Sequence, residues 1–129
     1  MKVFIADDSS EIRKRIIAML SDLAERIEMI GEAENVQDAI NSIHEFDPDV
    51  VILDIRMPGG SGIDVLKKIR KKNEVPVIII LTNYPHSQYR KKCMEAGADF
   101  FFDKSRDFEE IVKVVSGISG GGILSWQQK

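Results

Sequence analysis

The sequence predicts an α/β fold in which five parallel strands form one doubly wound sheet with five helices on its two faces. Three observations point there. Short β-rich runs alternate with amphipathic segments along the 129 residues, and successive βα units leave few topologies because their crossovers are right-handed. Two runs, Val50-Val51-Ile52-Leu53 and Val77-Ile78-Ile79-Ile80-Leu81, are continuously apolar, as strands covered on both faces require. Ionisable residues close three runs: Asp7-Asp8 the first, Asp54 the third and Lys104 the fifth. In a parallel sheet those positions share one edge, where open α/β folds place their chemistry.

Each element has its own signal. The first strand is expected over residues 2–7. The helix after it carries Ile12, Ile16, Leu20 and Leu23 on one stripe, with Ser9 or Ser10 as its cap. Residues 29–33 form the second strand, and Val36, Ala39, Ile40 and Ile43 follow at helical spacing. Residues 50–54 make the third strand. Ser61 then caps a helix with Ile63, Leu66 and Ile69 on its buried face. The fourth strand spans residues 77–81. The segment Tyr89-Arg90-Lys91-Lys92-Cys93-Met94 reads as a helix with its thiol facing the core, stopped by Gly97. Residues 99–103 are the fifth strand. A last helix carries Phe108, Ile111, Val112 and Val115, with Asp107 and Glu110 spaced as an acidic capping box.

Composition narrows the class. A chain of this length fits one domain with a real core, and 30% charged with 43% hydrophobic residues is a globular balance. A net charge of −3 gives no reason to expect bulk binding to nucleic acid or an anionic membrane. The lone Cys93 excludes an internal disulfide. No apolar stretch suits a signal peptide or a membrane span, so a reducing cytoplasm is expected.

The strand-end acids imply a cation. Two carboxylates about 4 Å apart repel by roughly 1 kcal/mol in water and about 4 kcal/mol at an effective dielectric near 20. If Asp7, Asp8 and Asp54 converge, they need a bound cation or protonated members. Two or three hard oxygen ligands suit Mg2+, with Mn2+ as a substitute. His44, His86 and one cysteine cannot build a zinc site. Taken singly, Asp7-Asp8 reads equally as a helix N-terminal pair, Lys104 as a surface lysine and Thr82 as the start of a turn. Asp54 is different, because an acid directly after four aliphatic residues must be compensated or exposed.

Taken as a set, the motifs resemble the receiver domain of two-component response regulators, in its stand-alone, chemotaxis-regulator-like form. They are Asp7-Asp8, Asp54-Ile55-Arg56-Met57-Pro58-Gly59-Gly60-Ser61-Gly62, Leu81-Thr82-Asn83, Ala96-Gly97-Ala98-Asp99 and Lys104. The resemblance implies a flavodoxin-like strand order 2-1-3-4-5. It makes residues 1–118 the receiver domain and 119–129, which open with Ser119-Gly120-Gly121-Gly122, a flexible C-terminal tail. Asp54 is then the phosphoacceptor for a histidine kinase or histidine phosphotransfer protein. Mg2+ would be held by Asp8, Asp54 and the backbone carbonyl of Arg56, and by Asp7 through water. Lys104 would pair with Asp54 and then with the phosphoryl oxygens. Thr82 and Phe101 would form the switch. Phe101 lacks a hydroxyl to hold it outward, so it is expected to rest inward.

The same resemblance implies an output face on the fourth helix, fifth strand and fifth helix, including Gln88, Arg90, Lys91 and Lys92. That face would meet a downstream protein and leaves a phosphorylation-dependent homodimer open. Beyond self-catalysed phosphorylation and dephosphorylation of Asp54, no enzymatic turnover is expected. Three positions depart from the commoner pattern or bear on rate. Ser105 follows Lys104 where many members carry proline. The bulky Arg56 and Tyr84 flank the route of attacking water, which predicts slow self-dephosphorylation.

Other readings remain. A receiver module from a longer DNA-binding transcriptional regulator is one, although no helix-turn-helix follows Ile118. An aspartyl-phosphate phosphatase of haloacid-dehalogenase type is another, but it wants an acid where Arg56 stands. A flavodoxin-like nucleotide or flavin binder would find Asp7-Asp8 repelling its phosphate, and no Walker or dinucleotide fingerprint follows the first strand.

Overall fold

A computed structural model describes residues 1–69 and 75–121, with 119–121 as helix backbone only. The strands of the main sheet are β1 (Lys2–Ala6), β2 (Met29–Ala33), β3 (Val50–Leu53), β4 (Val77–Thr82) and β5 (Phe100–Asp103). They are parallel and lie in the order β2-β1-β3-β4-β5. The helices are α1 (Ser10–Met19), continued by a tighter turn over Leu20–Leu23, then α2 (Val36–Phe46), α3 (Gly62–Lys68), α4 (Ser87–Glu95) and α5 (Glu110–Gly121). A two-residue antiparallel ladder, Arg56–Met57 with Gly60–Ser61, stands apart from the sheet after β3.

Side-chain alternation divides the core in two. Val51, Leu53, Ile78 and Ile80 face α2, α3 and α4, packing on Val36, Ala39, Ile43, Val65, Leu66 and Cys93. Val50, Ile52, Val77, Ile79 and Leu81 face α1 and α5, against Ile16, Leu20, Phe108, Ile111 and Val115. Both faces of β3 and β4 are therefore dry, which explains their unbroken aliphatic runs. Burial also pushes the Cys93 thiol up to about 11, leaving it an inert core group.

The local signals resolve as follows. Ser9, rather than Ser10, caps α1, its hydroxyl accepting from the Ile12 amide at 3.2 Å. Ser61 and Asp64 form a reciprocal capping box on α3. Gly97, at φ +112°, ends α4. Its amide meets the Met94 carbonyl and that of Ala98 the Cys93 carbonyl, the paired bonds of a Schellman stop. One expectation is corrected. The Asp107 carboxylate accepts from the Asp103 amide at 3.1 Å, and Glu110 pairs with Lys113 at 3.2 Å, so the expected box at α5 yields to closure of the preceding loop. The tail expected from residue 119 overlaps the end of α5. Buried Ile118 docks the last described turn, and the helix continues through Gly121. Residues 122–129 of that tail lie outside the described residues.

Candidate functional site

Register brings the chemistry together. Ala6 pairs with Leu53 and Leu53 with Ile80, while Thr82 pairs with Asp103. The residues after β1, β3 and β5 thus emerge on one edge. The Asp7 amide still donates to the Ala33 carbonyl at 3.0 Å, that of Asp54 to Ala6 at 2.9 Å, and that of Lys104 to Thr82 at 2.9 Å. Each functional side chain is anchored by its own backbone bond to a neighbouring strand.

The side chains meet in a small buried cluster. Lys104 Nζ lies 2.8 Å from Asp7 Oδ2 and 2.9 Å from Asp54 Oδ2. Asp7 Oδ1 accepts from the Ser9 amide at 2.9 Å, and Asp54 Oδ1 from the Ile55 amide at 2.7 Å. Asp7 and Asp54 are only 2% and 5% exposed, whereas Asp8 is open to solvent.

Charge balance explains the titration of the cluster. Burial holds the Asp54 carboxyl above its ordinary value, against the opposing pull of Lys104 and with some help from the like charge of Asp7. Burial also works to lower Lys104, yet its bonds and attractions to Asp7 and Asp54 outweigh that and keep the ammonium above its usual value. One ammonium is shared by two carboxylates, so it compensates each acid only in part.

The donor set fits a hard cation. Asp7, Asp8 and Asp54 each offer an oxygen within 4.8 Å of the others, and exposed Asp8 leaves an open side for the waters that Mg2+ retains. Asp7 and Asp54 are alike in that both oxygens of each are already engaged, one by a backbone amide and the other by Lys104.

Two further contacts shape the rim. Thr82 is fully buried, and its hydroxyl oxygen accepts from the Tyr84 amide at 3.0 Å. The Arg56 guanidinium stacks over the Tyr84 ring, 4.2 Å from its centroid. Phe101 is 6% exposed and packs in the core beneath α4, with Arg90 near its ring and its carbonyl.

Sequence reading missed three supports. Gly62 packs on the backbone of Asp54, and a Cβ there would collide with the Asp54 carbonyl oxygen. Ser105 donates both amide and hydroxyl to Asp103 Oδ1, at 2.9 and 2.7 Å, closing the turn that bears Lys104. Arg13 reaches the Asp7 carbonyl at 2.6 Å. The glycine run signalled the first, and the two-residue spacing of Asp103 and Ser105, that of an Asx turn, could have signalled the second; nothing local signalled Arg13.

An acidic pocket with one lysine, at the carboxyl edge of a doubly wound parallel sheet, defines a strand-end phosphate or metal site. The comparisons then fix the family. The response regulator receiver domain family matches residues 3–116, and the chain belongs to it. It is 31% identical to the transcriptional regulatory protein LnrK of Bacillus subtilis over 96% of its length and 56% of that protein's. It is 39% identical to a protein-glutamate methylesterase/protein-glutamine glutaminase of Carboxydothermus hydrogenoformans over 86% of its length and 33% of that protein's. Among solved structures, a LuxR-family DNA-binding response regulator from Staphylococcus aureus superposes with a TM-score of 0.74 at 32% identity, covering 92% of this chain and 98% of that one. The chain thus spans about half the length, or less, of these curated relatives. Among the described residues no helix is long and apolar enough to cross a membrane.

Proposed function

We propose that this chain is the phosphoacceptor of a cytoplasmic two-component phosphorelay. Asp54 would take a phosphoryl group from a histidine kinase or histidine phosphotransfer protein. The carrying observation is the convergence of Asp7, Asp8, Asp54 and Lys104 from three separate strand ends. An Asp54 carboxylate oxygen bonds to phosphorus as the bond to the donor imidazole nitrogen breaks, and that nitrogen leaves with the electron pair. Asp8, Asp54 and the Arg56 carbonyl, with Asp7 through water, would hold Mg2+, or Mn2+ in its place, which would supply the positive charge that in-line transfer needs. Lys104 orients Asp54 beforehand and neutralises phosphoryl oxygens afterwards. Turnover is limited to making and hydrolysing this one bond.

The new group adds about −1.5 to −2 charges and strong acceptors at the strand edge. Thr82 is the switch donor: its hydroxyl leaves the Tyr84 amide and donates to a phosphoryl oxygen. Buried Phe101 occupies the space below, so the change passes to the face of α4, β5 and α5. A downstream protein reads that face, where Gln88, Arg90, Lys91 and Lys92 are exposed. Neither nucleic acid nor membrane is a direct partner in this reading.

Incubation with acetyl phosphate and Mg2+, followed by intact-mass measurement, tests the proposal. The wild type is expected to gain one phosphoryl group and Asp54→Ala none; an equal gain in both would overturn it. The Arg56–Tyr84 stack screens Asp54 from water, so trimming both to alanine is expected to shorten the phosphoryl lifetime several-fold. A second reading, the receiver portion of a longer transcriptional regulator, is favoured by LnrK, of which the chain spans 56%. The size of the native product on an immunoblot separates the two. The phosphatase reading loses its general acid, because Arg56 stands two residues after Asp54.

A further inference from the structure

Arg13 sits in the first half of α1, where the helix dipole disfavours a cation. Its side chain is nevertheless only 13% exposed and makes two bonds away from its own helix. Nη1 donates to the Asp7 carbonyl at 2.6 Å, and Nε to Glu32 Oε1 at 2.9 Å. Its amide also donates to the Ser9 carbonyl at 3.1 Å. One guanidinium thereby ties α1 to the loop after β1 and to the end of β2.

The grip falls on a particular peptide. The Asp7 carbonyl and the Asp8 amide belong to one rigid plane. Fixing that oxygen therefore fixes the bond from which Asp8 departs. Asp7 has further restraints, from Ser9 and Lys104. Asp8 is the exposed member of the acidic trio. We propose that Arg13 is a positioning residue for the metal site, holding the Asp7–Asp8 peptide so that the Asp8 carboxylate is aimed at the cation. The inference rests on the receiver reading above and concerns metal affinity alone.

Charge and geometry can be separated. Arg13 and Glu32 form a neutral pair, so R13A/E32A keeps the net charge and loses only the grip on Asp7. Mg2+ affinity is measured by calorimetry, with thermal melts as a check on folding. R13A and R13A/E32A are expected to raise the Mg2+ Kd on the order of tenfold, the cost of removing a support behind a metal ligand. E32A is expected to change it less than about twofold. R13K keeps the charge but cannot span both acceptors. It covers the case of a misfolded double variant, and a Kd raised about threefold or more is expected. A wild-type Kd in R13A/E32A or R13K, or an E32A effect as large as that of R13A, would overturn the proposal. Absence of Mg2+ binding by the wild type would sink the functional reading itself, and this inference with it.

Discussion

Two loops fix the two residues at the heart of the site, and they do so by different physics. The loop after β3 holds Asp54 by contact. Gly62 lies flat on the Asp54 peptide, where no side chain fits, and the Ser61–Asp64 capping box locks the following helix. The loop after β5 holds Lys104 by hydrogen bonds. Asp103 accepts from Ser105 twice, and Asp107 accepts from the Asp103 amide. Steric fixation fails abruptly, because backbone atoms cannot yield. A solvent-facing turn fails gently, because water replaces lost bonds.

That contrast can be broken or sharpened by mutation. The largest expected effect is Gly62→Ala. A Cβ in collision with a backbone oxygen must displace the Asp54 peptide, costing about 3 kcal/mol or more in urea denaturation. Mg2+ binding should be lost even in the folded fraction. A loss below about 1 kcal/mol would mean that the loop gives way freely.

Lys104→Ala comes next, at about 2–3 kcal/mol without Mg2+. Removing one partner of a buried cluster strands the others, but Asp54 can take up a proton and limit the damage. Saturating Mg2+ should restore much of the loss, measurable as a larger rise in Tm than the wild type shows.

Asp54→Asn should raise Tm by a few degrees at pH 7. Burial lifts the folded Asp54 above its ordinary value, so the folded state binds more protons than the unfolded one. Its ionised form therefore opposes folding above the folded pKa, and that penalty fades as pH falls through it. The advantage of the variant should shrink in parallel; melts across pH 4–8 check this, and a constant difference would contradict the assigned cause.

Ser105→Ala should be the mildest. The hydroxyl and then the amide of Ser105 hold the Asp103 carboxyl below its usual value. Losing the hydroxyl should move that carboxyl upward in an NMR titration while the denaturation midpoint stays put. A collapse in stability would show that the second loop is as brittle as the first.

Much of the molecule was legible because its signals are local or periodic. The apolar runs of β3 and β4, the stripes of α1, α2 and α5, and the Ser61 cap all depend on neighbours within a few residues. The loop before α5 was misread for the opposite reason: Asp107 and Glu110 have the spacing of a cap, but the Asp103 amide and Lys113 claim them instead. Arg13 carried no signal, because its acceptors lie 6 residues back and 19 ahead.

By itself, the sequence determined which residue types end the strands, and hence that acids and a lysine share an edge, since period and handedness leave a parallel sheet little choice. Only the tertiary structure decided that Lys104 bridges Asp7 and Asp54 together, that Gly62 is pressed against the Asp54 peptide, and that Arg13 reaches behind Asp8. Those arrangements depend on distances between segments far apart in the chain, and hydrogen bonds and steric contact are decided within a few tenths of an ångström.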